Sequence, residues 1–169
     1  MSEHDQMDFE SYVAKHIAPD ASKAAGVPIL MLQCMDSRYP HRTLQTMDSL
    51  GLRGKYDQLI LPGASLGVVL RERTEPPKKL DWQSSFLDQL GVAIDLHQVS
   101  EVLILDHRDC GAYKVFLGVT ADDPKAEKDA HIRKCQEAIG IIIQRFPQLR
   151  KVHSLLLPIE SVDPLVSWP

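Results

Sequence analysis

Four short apolar runs constrain this chain more than anything else in it: Pro28–Gln33 (PILMLQ), Tyr56–Leu61 (YDQLIL), Glu101–Leu105 (EVLIL) and Val152–Leu157 (VHSLLL). Each is too short for a buried helix and is bounded by turn-forming or charged residues, the pattern of strands buried on both faces of a parallel sheet. Helical periodicity fills the gaps. From Trp82 to Gln98 the residues Phe86, Leu87, Leu90, Ala93, Ile94 and His97 fall on one face, with Asp81 placed to cap the first turn. A second helix is expected after Asp123-Pro124, a favourable cap and first-turn pair, and should run to Phe146, where Pro147 stops it. Strand and helix in this rhythm predict right-handed βαβ units, a mostly parallel sheet flanked by helices, and hence an α/β fold. An amphipathic stretch, Met7 to Ile17, precedes the first strand and should lie against the body of the protein or against a second subunit. The charged segment Arg71 to Lys79, with its Pro-Pro, reads as a surface loop.

With 169 residues the chain has the length of one ordinary domain, so residues 1–169 are expected to share one core. Lys and Arg number 19 against 23 Asp and Glu, and no basic run could neutralise a phosphate backbone, which argues against nucleic acid as a partner. No stretch approaches the roughly 20 apolar residues needed to span a bilayer, and the first residues (MSEHDQMDFE) are acidic where a secretory signal is basic and then apolar. The expectation is a cytoplasmic protein without membrane contact. Three cysteines, an odd number, point to free thiols or metal ligands rather than a disulfide framework.

Parallel sheets carry their sites at the C-terminal ends of strands, where the strand order reverses. Two strand ends here hold metal-type residues: Cys34 in Cys34-Met35-Asp36-Ser37-Arg38, and His107 with Cys110 in His107-Arg108-Asp109-Cys110-Gly111. Were those strands neighbours, two thiolates and an imidazole would converge in a set that suits Zn²⁺ and leaves a fourth tetrahedral position for water or substrate. Cys135, inside the second helix, has no ligand-spaced partner and reads as core. His4, His16, His97, His131 and His153 read as surface or helix-face residues. His41, three residues after Arg38, is a candidate for proton transfer to solvent.

Cys34-x-Asp36-x-Arg38 followed by His107-x-x-Cys110-Gly111 resembles the β-class carbonic anhydrase family, with similarity from about Pro28 to Val115. The resemblance implies a sheet in the order 2-1-3-4, Zn²⁺ bound by Cys34, His107 and Cys110, and Asp36 paired with Arg38. It also implies that Asp36 can swing onto the metal as a fourth ligand. The implied reaction is reversible hydration of CO₂ to bicarbonate by zinc-bound hydroxide, with Asp36 accepting the proton and Arg38 holding Asp36 off the metal. Gly63, Ala64 and Gly111 would contact the substrate, and a helical arm within residues 1–27 would join a homodimer or larger homo-oligomer. The chain departs from the family at several points. Leu61-Pro62-Gly63-Ala64-Ser65 stands where an Arg-containing loop is usual, Asp106 stands where Gly usually precedes the zinc His, and Ser154 to Pro169 holds no Tyr-Asp signature. The same centre could instead hydrolyse carbonyl sulfide or carbon disulfide, or be a closed, catalytically silent zinc site.

A rival motif lies in Gly63-Ala64-Ser65-Leu66-Gly67, which matches the Gly-x-Ser-x-Gly of a nucleophile elbow after a strand. A hydrolase using Ser65 would need an acid and a His downstream, with candidates in Asp88, Asp95, His97, His131 and His153. The plainer reading is a glycine turn from strand to helix beside the metal crevice. Pro40 occupies the Arg position of a Cys-x₅-Arg phosphatase loop, no Cys-x-x-Cys occurs, and no phosphate-binding glycine motif is present.

Overall fold

A computed structural model describes residues 8–72 and 80–158. Its sheet has four parallel strands, β1 (Ile29–Cys34), β2 (Tyr56–Leu61), β3 (Glu101–His107) and β4 (Lys151–Leu157), in the spatial order β2-β1-β3-β4. The central pair, β1 and β3, is buried at every position, and the edge strands β2 and β4 are partly exposed. Their apolar content follows that placement: a strand covered on both faces has no solvent side on which to carry polar residues.

Side chains alternate across the sheet and divide the core in two. Leu30, Leu32, Val102 and Ile104 pack with Phe86, Leu90 and Ala93 of α5 (Trp82–His97), with Ala138 and Ile142 of α7 (Pro124–Arg145), and with Val68 of α4 (Ser65–Val69). Ile29, Met31, Leu103 and Leu105 face the other way, onto Phe9 and Val13 of α1 (Phe9–His16), Ala21 of α2 (Ala18–Ala21) and Met47 of α3 (Pro40–Ser49). Helices therefore cover both faces. The crossover through α3 leads outward from β1 to β2, while those through α5 and α7 lead across to β3 and β4. The strand order reverses between β1 and β3, and there the C-terminal strand ends part into a crevice.

Local signals account for most helix boundaries. Asp8 caps α1 by accepting the Ser11 N–H at 2.8 Å, Asp123 caps α7 by accepting the Ala126 N–H at 3.0 Å, and Pro40 opens α3. The helix α6 (Gly111–Leu117) closes on Gly118 in the left-handed region (φ 66°), where glycine carries no steric penalty. Asp81 is the N-cap residue of α5, yet its side chain makes no capping bond. Its backbone sits outside the extended conformation that would aim a carboxylate at the first-turn N–H groups.

At their C-terminal ends β1 and β3 run one and two residues further than their apolar runs. Parallel pairing of Cys34 with Leu61 and of His107 with Leu157 carries β1 and β3 to the very residues that bear the site. Of the two readings of the N-terminal amphipathic stretch, its described part packs on its own chain: Phe9, Val13 and Ile17 are buried against β1, β3 and α3. Met7 and His4, most of the Arg71 to Lys79 segment, and the chain after Pro158 lie outside the described residues.

Candidate metal centre

Cys34 ends β1, His107 ends the adjacent β3, and Cys110 is the N-cap residue of α6 three residues later. All three are buried, and their ligand atoms lie within 4.8 Å of one another, the one such group of three His, Cys, Asp or Glu among the described residues. The two sulfurs are 3.9 Å apart. Two thiolates on a tetrahedral zinc with Zn–S bonds of about 2.3 Å would stand about 3.8 Å apart, so the sulfur pair has the span the ion requires. His107 is oriented to complete the set. Its Nδ1 lies 2.9 Å from the Arg108 carbonyl, an acceptor only, so Nδ1–H donates and Nε2 is the atom left for a metal. That Nε2 is buried and has no hydrogen-bond partner in the protein, a cost that a ligand would remove. Tyr39 stacks on the ring with centroids 4.4 Å apart and fixes its plane.

The backbone favours charge on the sulfurs. Gly63 donates its N–H to Cys34 Sγ at 3.2 Å. Its φ of +68° and the Leu66 and Ala112 Cβ atoms, 3.0 and 3.2 Å from where a Cβ would stand, explain the glycine. A hydrogen bond from Cys110, then the neighbouring His107 and the Gly63 N–H, hold the Cys34 thiol below its ordinary pKa against the effect of burial. The Cys34 thiolate and burial in turn push the Cys110 thiol up. Burial works to lower the His107 pKa, but its interaction with Cys34, then the Arg108 carbonyl and the Asp36 charge, outweigh it and leave it raised. Metal binding would release these protons.

Asp36 and Arg38 sit beside the cluster. Arg38 grips the carboxylate with Nε–H to Oδ1 at 3.0 Å and an Nη2–H to Oδ2 at 2.8 Å, and its backbone N–H adds a third bond at 3.0 Å. These bonds hold Asp36 below the ordinary carboxylate range and raise Arg38 above its own. Asp36 Oδ2 is 3.7 Å from His107 Nε2, close to the cluster but committed to the guanidinium. Arg38 also reaches the other ligand-bearing loop, donating to Asp109 Oδ2 at 3.0 Å and to the Asp109 carbonyl at 2.9 Å.

A cleft of about 270 Å³ opens onto this group, lined by Cys34, Asp36 and Gly111 with the apolar side chains of Met35, Val115 and Phe116. Gly111 borders the cleft. Ala64 does not: it is fully buried in the core with Leu30 and Val68. The Gly63 N–H is taken by Cys34. His41 is exposed on the first turn of α3.

Asp106 and Ser65 take places that sequence reasoning did not foresee. Strand alternation turns Asp106 to the sheet face opposite His107, so its carboxylate lies within a second buried cluster and not against the Cys34-His107-Cys110 group. There it accepts from Ser65 N at 3.0 Å, Ser65 Oγ at 2.6 Å, Tyr113 Oη at 2.9 Å and, more distantly, Cys135 Sγ at 3.6 Å, with His131 Nδ1 at 2.8 Å. Ser65 is fully buried and binds Asp106 and Tyr113, with no imidazole on its Oγ, which excludes the nucleophile-elbow reading. Gly67 is explained by close packing, since a Cβ there would come within 2.7 Å of Leu61 Cβ. Burial and the Asp106 charge push the Tyr113 hydroxyl and the Cys135 thiol up, and Cys135 is an inert core thiol as expected.

Glu127, His131 and Cys135 went unrecognised as a group. They recur every four residues on α7 and share its buried face with Ala138 and Ile142. Polar residues on an apolar helical stripe are the signal that could have revealed them. Glu127 accepts from Arg108 Nε at 2.9 Å and from the Asp109 N–H at 2.5 Å, and so fixes the loop between His107 and Cys110.

Fold and site together define an α/β protein with a four-stranded parallel sheet and a buried Cys-His-Cys cluster at its switch point. Among proteins of known sequence, it is 35% identical over 134 residues to an uncharacterized protein of Rickettsia bellii, covering 79% of this chain and 77% of that one. It is 34% identical to an uncharacterized protein of Rickettsia conorii, covering 79% of this chain and 68% of that one. The chain belongs to the family of these rickettsial proteins. No protein-family model matches it. Among solved structures, a carbonic anhydrase from Glaciozyma antarctica is similar at a TM-score of 0.48 and 18% identity, over 92% of this chain and 94% of that one.

Proposed function

We infer that this protein is a zinc enzyme that hydrates a small neutral electrophile, CO₂ first, to its acid anion. The observation that carries this reading is the convergence of Cys34 Sγ, Cys110 Sγ and the unpartnered His107 Nε2 at the ends of two adjacent strands. These three residues would hold the ion and leave its fourth position towards the cleft. Zinc would supply Lewis acidity there, lowering the pKa of water far enough to provide a nucleophile near neutral pH. Two thiolate ligands offset the charge of the ion, so an acceptor for the proton matters more than beside an all-imidazole site. The Asp36 carboxylate, 3.7 Å from His107 Nε2, is that acceptor. Arg38 keeps it ionised and oriented, and holds it clear of the fourth position.

The cleft wall selects the substrate. Met35, Val115 and Phe116 are apolar, and the Arg38 guanidinium is already spent on Asp36 and Asp109, which suits a neutral linear molecule better than an anion. The same lining gives a second reading some weight, hydrolysis of the less polar carbonyl sulfide or carbon disulfide. The test is metal content of the purified protein with stopped-flow CO₂ hydration on the same sample, at neutral and alkaline pH. About one zinc per chain, with hydration rising with pH, is the expected result. A protein that neither holds nor takes up zinc would overturn the reading, and zinc without hydration would move it to the sulfur substrates or to a silent site. The homodimer expected from the resemblance would be checked by light scattering on that sample.

A further inference from the structure

Arg38 is bound on two sides, and the second side belongs to the loop between the other two proposed ligands. If Asp36 were its only partner, the two could move together, since both lie on one short segment after β1. The bonds from Arg38 to the Asp109 carboxylate and carbonyl, across 71 residues of sequence, prevent that. Four of the five guanidinium N–H donors are then committed, and the planar fork cannot turn towards one partner without leaving the other.

Asp109 is itself held in place. Its φ of +55° is in the left-handed region, which a non-glycine residue adopts only when its surroundings impose it. Glu127, buried on α7, imposes it by accepting the Asp109 N–H through Oε1 while Oε2 takes Arg108 Nε and Nη2. A continuous chain of bonds therefore runs from Glu127 through Asp109 and Arg38 to Asp36.

We propose that Glu127 and Asp109 form a latch that fixes Arg38 and thereby keeps the Asp36 carboxylate off the fourth metal position. Both are positioning residues. The inference rests on the zinc reading above and adds what decides whether that site stands open. Releasing the latch frees Asp36 and Arg38 to move, and the carboxylate then competes with any exogenous ligand for the metal.

Asp109→Gly is the sharpest variant because glycine accepts the positive φ and removes only the side chain, which is half-exposed. Azide binding to the cobalt-loaded protein, followed by the visible spectrum, reports the open fraction. The variant should load cobalt as the native protein does and bind azide about tenfold more weakly, as it would if the open fraction fell to about a tenth. Asp109→Asn, which keeps an acceptor and tolerates the same φ, should recover most of the affinity, and Glu127→Gln should show a smaller loss in the same direction.

A second readout needs no metal. The Arg38 Nε–H resonance of the metal-free protein, assigned by its loss in Arg38→Lys, should be slow to exchange in the native chain and broadened in Asp109→Gly. Unchanged azide affinity in Asp109→Gly overturns the proposal, as does a retained, protected Arg38 signal. A native protein that takes up no cobalt overturns the zinc reading, and the Arg38 signal then decides the latch alone.

Discussion

The two ends of β3 carry polar clusters of opposite character. At its start, Glu101 is buried and fully engaged: Oε1 accepts from Arg150 Nη2 at 2.7 Å, Oε2 pairs with His153 Nε2 at 3.1 Å, and His153 Nδ1 lies 3.0 Å from Tyr12 Oη. At its end, His107 uses Nδ1 on a carbonyl and leaves Nε2 unpartnered between two sulfurs. Each charge at the first end meets its complement within the protein, so that cluster ties α1 and β4 to the core. The second end gathers three ligand atoms that could hold a metal ion. Burial alone does not separate a structural cluster from a candidate site; the convergence of three ligand atoms, one of them unpartnered, does.

Substitutions at the two ends should therefore fail in different ways. Cys110→Ser should have the largest effect, taking zinc from about one per chain to near none and abolishing hydration, while the fold survives on its two apolar layers. Elemental analysis and circular dichroism of the same sample would check this, and full zinc retention would misplace the site. Asp36→Ala should keep the zinc and lose about 10²-fold or more in hydration rate, the usual worth of a positioned proton acceptor.

At the other end, Glu101→Gln should leave zinc and hydration intact and cost about 2 kcal/mol in denaturant unfolding, because His153 and Arg150 lose a charged partner. The sign with pH is fixed by the shift. Burial opposes ionisation of Glu101, but His153 and Arg150 outweigh it and hold the carboxyl below its ordinary value. Its contribution is thus present above the unfolded-state pKa of about 4.3 and is lost as pH falls through the lower folded value. Native protein should lose stability more steeply than Glu101→Gln below about pH 4, and parallel curves would show that the pair contributes nothing. Ser65→Ala should have the smallest effect, about 1 kcal/mol, because Asp106 keeps the Ser65 N–H, Tyr113 and His131. A hydrolase activity that survived zinc removal but vanished in Ser65→Ala would restore the serine reading.

Much of this molecule was legible in the chain itself. Short apolar runs such as PILMLQ and EVLIL declared strands of a parallel sheet, and Asp123-Pro124 with Pro147 bounded α7 by local backbone chemistry alone. Cys34, His107 and Cys110 stood out because thiols and an imidazole coincide after two strands, with Asp36 and Arg38 beside the first. The strand order 2-1-3-4 came from the family resemblance, and backbone pairing bears it out.

Tertiary structure decided the rest, wherever a side chain's meaning depended on a distant partner. Asp106 and His107 are neighbours in sequence, yet the pleat sends one to Ser65 and His131 and the other to the cysteines, and only pairing with β1 and β4 set which face was which. Spacing puts Glu127 on the buried stripe of α7, but its partners became known only once the His107–Cys110 loop was seen to lie over it. Residue type and local periodicity fix what a segment can form, because those terms act within a few residues. Which polar groups satisfy one another is set by approaches across the whole chain, and that is where the difference between a clamp and an open site resides.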